Sequence, residues 1–284
     1  MATLNATPCT RRRGHLDVVT WPVFDDLNLD AFVTTRHGGV SGGPYESLNL
    51  GLHVGDDPEN VLENRRRAAA ALNVDRADLV FCEQSHHRNV HLVTAADRGR
   101  GTLSRDDAIP ATDALVTAES GVGLVVMVGD CVPIVLYDPV AHVLACVHAG
   151  WRGTVARVSE ATVEAMASLG SRPRDIIAGL GPAISPDLYQ VGDDVVAAAA
   201  GCFGPRGTAG VIRPDGAGKW LFDLWAANLT VLREAGLRDD NLHVAALPTG
   251  RAGGDTFFSD REARPCGRFA AIARLNPPGS SLRH

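Results

Sequence analysis

Two apolar runs in this chain stop abruptly at short polar strings, and those stops constrain its fold more than any other feature. Gly123-Leu124-Val125-Val126-Met127-Val128 runs into Gly129-Asp130-Cys131-Val132-Pro133, and the run from Val140 to Val147 ends in His148-Ala149-Gly150-Trp151-Arg152-Gly153. Consecutive β-formers of this length, bounded by glycine and proline, read as buried strands. A strand that ends beside glycine holds its last side chain at the rim of a sheet, where a substrate can reach it. One sulfur and one imidazole are thereby delivered to one rim by neighbouring strands. Cysteine-histidine hydrolase sites and catalytic metal sites are both built from such a pair.

The rest of the chain alternates between the two periods. Leu29–Thr35, Leu79–Phe81, Val90–Val93, Asp113–Thr117, Pro133–Tyr137, Ile176–Leu180, Leu242–Leu247, Thr256–Phe258 and Phe269–Arg274 read as further strands. Pro58–Leu72, Thr154–Leu169, Val191–Ala200 and Asp223–Ala235 read as helices, the first capped by Asp57 and the second stopped by Gly170. Residues 201–218, rich in glycine and proline, read as a surface loop. Strands and helices mix without strict βαβ alternation, which predicts an α+β fold: a single domain over 18–284 with a mixed β-sheet core and flanking helices. Residues 1–17 carry no period and read as a disordered tail, with Arg11-Arg12-Arg13 as a solvated end.

Charge and cysteine usage exclude several classes. The formal net charge is −6 and no long basic stripe is present, which argues against a nucleic-acid partner. No stretch approaches a membrane span, and the N-terminus lacks the apolar core of a signal peptide. The six cysteines, at 9, 82, 131, 146, 202 and 266, include no Cys-x-x-Cys pair, so a reducing cytoplasm and a free Cys131 thiol are expected. Cys82, Cys146 and Cys202 lie in or beside apolar stretches and read as structural thiols.

Several other residues could carry chemistry. Gly150 turns into a helix whose free N–H groups, with Arg152, could hold an anion. His86 and His87 follow a strand, and only one of two adjacent strand residues can face a site. His37, His53 and His91 are weaker candidates. Arg36, in a loop with glycines at 38, 39, 42 and 43, suits phosphate or carboxylate recognition or else pins the loop. That loop lacks Lys-Ser/Thr, so it is not a P-loop. Asp130 is a candidate for orienting a ligand histidine. Two imidazoles and a thiolate would make a three-ligand zinc site, leaving a fourth position for water or substrate.

Together these strings resemble the YfiH family, also called the multicopper polyphenol oxidoreductase (laccase) family or peptidoglycan editing factor family. The resemblance rests on Thr35-Arg36-His37-Gly38-Gly39-Val40-Ser41, Ser47-Leu48-Asn49-Leu50-Gly51 through Asp57, Glu63-Asn64-Arg65, Gln84-Ser85-His86, Asp113 to Thr117, Gly129 to Pro133, His148 to Gly153, Gly181-Pro182-Ala183-Ile184 and Phe257-Phe258-Ser259. It implies that His86, Cys131 and His148 hold Zn2+. With that set as the catalytic centre, Arg36 is expected to act in catalysis too, and Arg36, Asn49 and Arg152 to bind substrate, the two arginines steadying phosphate. The implied reaction is phosphorolysis of adenosine, inosine, guanosine and methylthioadenosine, with adenosine deamination as a second activity. The implied fold is shared distantly with cysteine-histidine deamidase toxins. Nucleoside and phosphate are the expected partners, and monomer and homodimer both stay open.

Two positions depart from the family pattern. Gly250 follows Thr249 where the family has cysteine, and Asp260-Arg261-Glu262 stands where it has Arg-Arg. An acidic group there is expected to weaken anion binding at that edge. Three rival readings remain. A metal-free hydrolase or amidase would use Cys131 as nucleophile and His148 as base. A copper-dependent phenol oxidase needs His-x-His pairs, and none of the ten histidines forms one. A peptidoglycan-editing factor would bind without catalysis.

Overall fold

The computed structural model describes residues 8–216 and 218–277. Its strands are β1 (Cys9–Arg13), β2 (Leu16–Thr20), β3 (Leu29–Thr34), β4 (Leu79–Phe81), β5 (Val90–Leu92), β6 (Ala114–Thr117), β7 (Gly123–Val128), β8 (Val132–Asp138), β9 (Val143–Ala149), β10 (Ile177–Leu180), β11 (Gln190–Val191), β12 (Ile212–Pro214), β13 (Trp220–Phe222), β14 (Leu242–Val244) and β15 (Phe269–Leu275). Its α-helices are α1 (Pro58–Ala71), α2 (Trp151–Val155), α3 (Val158–Ser168), α4 (Asp193–Val211) and α5 (Leu224–Glu234). One six-stranded sheet has the order β1-β2-β3-β15-β7-β4 and a second β14-β10-β8-β9-β6-β5, while β11-β13-β12 forms a small third sheet. Both large sheets are mixed: β4–β7, β5–β6 and β10–β14 run parallel, and the other pairs antiparallel.

Alternation along the strands sorts side chains into layers. On β7, Leu124, Val126 and Val128 face the second sheet, where they meet Leu144 and Cys146 of β9 and Val135 of β8. Val125 and Met127 point the other way, toward α1. On β9, Val143, Ala145 and Val147 point outward, where β9 packs against α2 and α3. Each large apolar side chain taken fully out of water stabilises the fold by roughly 1.5–3 kcal/mol. The result is an α+β fold with flanking helices, as the patterning predicts, but its core is two mixed sheets packed face to face rather than one.

Five local expectations need correction. Residues 9–17 are not a loose tail: β1 and β2 form a hairpin about Gly14, which takes a positive φ of 59°. Its three arginines each meet a carboxylate, Arg11 with Asp25, Arg12 with Asp17 at 2.9 Å and Arg13 with Asp30 at 2.9 Å. The remainder of the expected tail, residues 1–7, lies outside the described residues. The helix expected over 154–169 breaks at Arg157, whose φ of 64° separates α2 from α3. Residues 201–211 are helical: Gly204 (φ 65°) breaks α4, and Pro205, which fits the first turn of a helix, restarts it. Thr256–Phe258 forms no strand, and β14 stops at Val244, shortly before Ala246 at φ 51°.

Candidate metal centre

Two loops cross from the first large sheet to the second, and each carries one chemical group. The loop from β7 to β8 holds Gly129, Asp130 and Cys131. The loop from β4 to β5 holds Gln84, Ser85 and His86, and the Gln84 amide prolongs the β4–β7 pairing by accepting from Met127 N (2.8 Å) and donating to Met127 O (2.6 Å). His148 comes from β9 itself, directly opposite Pro133 of β8. It shares the parity of Leu144 and Cys146, so it points between the sheets and is 3% exposed. Neighbouring strands therefore do bring Cys131 and His148 to one rim.

One ligand atom from each of His86, Cys131 and His148 lies within 4.8 Å of the other two. The two imidazole rings meet edge to face, with centroids 4.7 Å apart. Asp113, just before β6 and wholly buried, holds this arrangement. Its carboxylate accepts from Ser85 N (3.3 Å), Ser85 Oγ (3.0 Å), His86 N (2.9 Å) and His87 N (2.8 Å), and it bonds His148 Nδ1 at 2.9 Å. A proton held on Nδ1 leaves Nε2 of His148 as the donor atom, the usual way a carboxylate orients a metal-binding histidine. The same bonds fix His86 in a turn at φ 61°, off any strand, with its backbone tied to the carboxylate. Burial works to raise the Asp113 carboxyl, but the hydrogen bond and charge of His148 and the backbone donors bring it down to about 2.

Burial favours a neutral Cys131 and a neutral His148, yet their mutual attraction wins. It draws the thiol down, with His86 assisting, and the imidazole up, with Asp113 assisting. Cys82 and Cys146 lack such neighbours, and burial pushes both thiols up. They are the inert thiols their apolar surroundings predict, whereas Cys202 is half-buried beside Arg157. Sulfur as thiolate and two imidazoles, one oriented by a carboxylate, form a donor set suited to a borderline-soft ion such as zinc.

Gly150 makes the close approach possible. A Cβ there would lie 2.8 Å from Cys131 Sγ and 3.0 Å from His86 Cδ2, although its φ of −75° suits any residue. Gly150→Ala is therefore expected to fold normally while weakening metal affinity by at least about tenfold. Chelator competition measures it, and unchanged affinity would show that the three donors need not be this close.

The group lies in the wall of a cavity of about 390 Å3, which reaches past edge strand β4 to the α1 face of the first sheet. Leu52, Phe81, Met127 and Val128 give it apolar walls, and His53, Arg65, Arg105, Arg264 and Arg268 supply cations or a titratable ring. A larger concavity of about 1030 Å3, near Arg11 and Asp25, is lined by no histidine or cysteine among the described residues.

The other expected substrate-binding residues do not line the metal-site cavity. Arg36 donates Nε to Glu46 O (2.8 Å) and lies over the Phe258 ring at 4.6 Å, so it pins its loop. Asn49 is fully buried, its amide bonded to Gly51 N, Arg268 N and Asp56 Oδ2. Arg152 is exposed over the Trp151 ring at 4.4 Å, and the helix it belongs to, α2, has five residues. Of the weaker histidines, His37 is exposed and His91 contacts Asp97 at 3.3 Å. Asp130 orients no histidine: it accepts from Thr249 Oγ1 (2.5 Å), Ser259 Oγ (2.8 Å) and Arg261 N (2.7 Å), tying the Cys131 loop to the C-terminal segments. The orienting carboxylate is Asp113. Its signal was a charge heading an apolar strand, in step with inward-facing Leu115.

The two departures from the family pattern touch one another. A Cβ on Gly250 would lie 2.5 Å from the Glu262 carboxyl carbon, and Glu262 accepts from Arg251 N at 2.9 Å. Asp260 does line the cavity, but Arg264 and Arg268 both bond it at 2.7 Å, which offsets its charge.

His53 reports the field of the cavity. The residue is exposed to solvent, yet partial loss of water around the ring and repulsion from Arg268, Arg105 and Arg65 hold its pKa below the ordinary 6.5, against an opposing pull from Asp260. Between the lowered value and the ordinary 6.5 the unfolded chain binds the extra proton, so any stability from this group is lost as pH falls through that window. The His53 ring signal in NMR is expected to titrate below its ordinary 6.5, and Arg105→Gln is expected to move the midpoint upward. A midpoint at the ordinary value would remove the evidence for a positive cavity.

Residues 30–276 match the family described as multi-copper polyphenol oxidoreductase laccase. The chain is 38% identical over 217 residues to the purine nucleoside phosphorylase YlmD of Bacillus subtilis (strain 168), covering 76% of this chain and 77% of that protein. It is 40% identical over 234 residues to the adenosine deaminase RL5 of an unknown prokaryotic organism, covering 82% and 88%. The crystal structure of the Bacillus licheniformis hypothetical protein YfiH superposes with a TM-score of 0.88 at 32% identity, over 93% of this chain and 98% of that one. No helix among the described residues is long and apolar enough to cross a membrane. Agreement of sequence, fold and site over this extent means that the chain belongs to the multi-copper polyphenol oxidoreductase laccase family, the YfiH family.

Proposed function

We propose that this protein is a zinc-dependent purine nucleoside phosphorylase acting on adenosine, inosine, guanosine and methylthioadenosine. The observation that carries the reading is the convergence of His86, Cys131 and His148 within 4.8 Å in the wall of a nucleoside-sized cavity. The relative named purine nucleoside phosphorylase supports the reaction class. His86, Cys131 and His148 would hold the zinc, which would supply positive charge to polarise a substrate oxygen. Asp113 fixes the tautomer of His148, Gly150 leaves room for the sulfur, and the apolar walls exclude water from one face of a base. Adenosine deamination is a second reading, favoured by the relative named adenosine deaminase.

The paired Cys131 and His148 also suit a metal-free hydrolase, and inhibitors separate the two cases. Chelation is expected to stop the zinc enzyme, and bound metal to shield Cys131 from iodoacetamide. Rapid inactivation by iodoacetamide with indifference to chelators would select the hydrolase. The function itself is tested by incubating the pure protein with inosine, adenosine and methylthioadenosine, with and without phosphate. Phosphate-dependent release of free base is expected, and no release from any of the three would refute the reading.

A further inference from the structure

Among the described residues, one buried charge in the cavity has no opposite partner. Arg65 lies on the apolar face of α1, in step with Val61, Ala68, Ala69 and Leu72, and is 1% exposed. Its guanidinium lies over the Phe81 ring at 3.9 Å. Nε donates to Leu50 O (2.9 Å), and Nη1 donates to Gly101 O (2.6 Å) and Thr102 O (3.0 Å). Among the described residues Nη2 meets only the Met127 sulfur, at 3.9 Å, and no carboxylate pairs with Arg65. Burial, with some repulsion from Arg76, lowers its pKa to about 9, which still leaves it charged at neutral pH. A buried, unpaired cation is costly to a fold and is best explained by an anion that arrives.

The neighbouring charges point the same way. The lining carries Arg65, Arg105, Arg264 and Arg268 against Glu83 and Asp260. Arg264 and Arg268 are committed to Asp260, while Arg105 touches Glu83 only at 3.9 Å, both side chains being more than half exposed. Arg65 and Arg105 therefore have donors to spare, and His53 stands beside them in the same lining.

We propose that Arg65, Arg105 and His53 form an oxyanion subsite that takes the inorganic phosphate of the reaction. The assignment of the anion as co-substrate rests on the phosphorylase reading above. A phosphate oxygen held there would form the bond to the anomeric carbon with its own electron pair. The C1′–N9 bond breaks with its pair going to the purine, which takes up a proton from water. The products are the free base and ribose 1-phosphate, with no change of oxidation state. This subsite replaces the role expected of Arg36 and Arg152.

The test uses the full-length protein with inorganic phosphate and inosine. Arg105 is mostly exposed, so Arg105→Gln should fold, and Arg65→Lys keeps the buried charge while removing the fork. Arg105→Gln is expected to raise the phosphate KM about tenfold and to weaken phosphate binding by calorimetry equally, with the inosine KM changed less than twofold. Arg65→Lys is expected to do at least as much. Phosphate affinity should survive Cys131→Ala, because the arginines and not the triad hold the anion. An active enzyme whose phosphate KM ignores both arginine variants would overturn the subsite and leave the phosphorylase reading standing. Phosphate binding that is lost in Arg105→Gln, in a protein that cleaves no nucleoside, would keep the subsite and refute the phosphorylase. Loss of binding in Cys131→Ala alone would move the anion to the triad and sink the proposal.

Discussion

Asp113→Ala is expected to cost about 3–5 kcal/mol of folding stability and to weaken metal affinity by about 10- to 100-fold. The carboxylate is 0% exposed and serves five donors on two elements: Ser85 N and Oγ, His86 N, His87 N and His148 Nδ1. Alanine would leave these groups buried with no acceptor, and an unmet buried donor costs more than a hydrogen bond contributes when made. Two ligands would lose their positions together, since the His86 turn and the His148 ring share this one anchor. Asp113→Asn separates the two effects. It keeps the volume and one acceptor oxygen, so it should recover part of the stability, but it lacks the charge that favours a proton on Nδ1. Denaturant midpoints report the first effect and chelator competition the second. Wild-type metal affinity in Asp113→Asn would show that orientation by the carboxylate is unimportant.

Cys131→Ala is expected to lower bound zinc from about one ion per chain to nearly none, and phosphorolysis by at least about 100-fold, more than loss of an orienting partner costs. The sulfur is the only anionic donor of the three, and its thiol is drawn down by His148 and His86, against burial. Cys146→Ala is the matched control. That thiol lies two residues from His148 on the same inward face, but there burial outweighs a backbone hydrogen bond and pushes it up. Its loss should leave the metal in place. Release of hypoxanthine by Cys131→Ala at the wild-type rate would contradict the assignment.

Much of this site could be read in the sequence because short strands ending at glycine restrict where their last residues can go. Cys131 and His148 are legible from periodicity, since the apolar runs before them fix both the rim and the face. His86 is not: the rule of opposite faces assumes a strand, and the chain there is a turn held by hydrogen bonds to Asp113, so only resemblance to the family selects it. The arginines that line the cavity were not singled out, for a similar reason. Arg36 and Arg152 stand beside glycine-rich turns, a local signal, whereas Arg65 and Arg105 reach the cavity through the packing of α1 and the 94–112 loop against β4. Arg65 did leave a trace, as a cation on the apolar stripe of a helix. The N-terminal hairpin was missed because its outward face is arginine-rich and its stability comes from the β2 partner and from distant carboxylates. The break at Gly204–Pro205 reads as a loop by composition, although proline fits the first turn of a helix and glycine the break before it.

X-ray absorption at the zinc edge of the purified full-length protein bears most directly on the metal centre. Stoichiometric zinc with one sulfur and two imidazole nitrogens among its nearest neighbours is the predicted spectrum, and the sulfur contribution should vanish in Cys131→Ala. Zinc surrounded by oxygen and nitrogen alone in the wild-type protein, or no bound metal at all, would contradict the account.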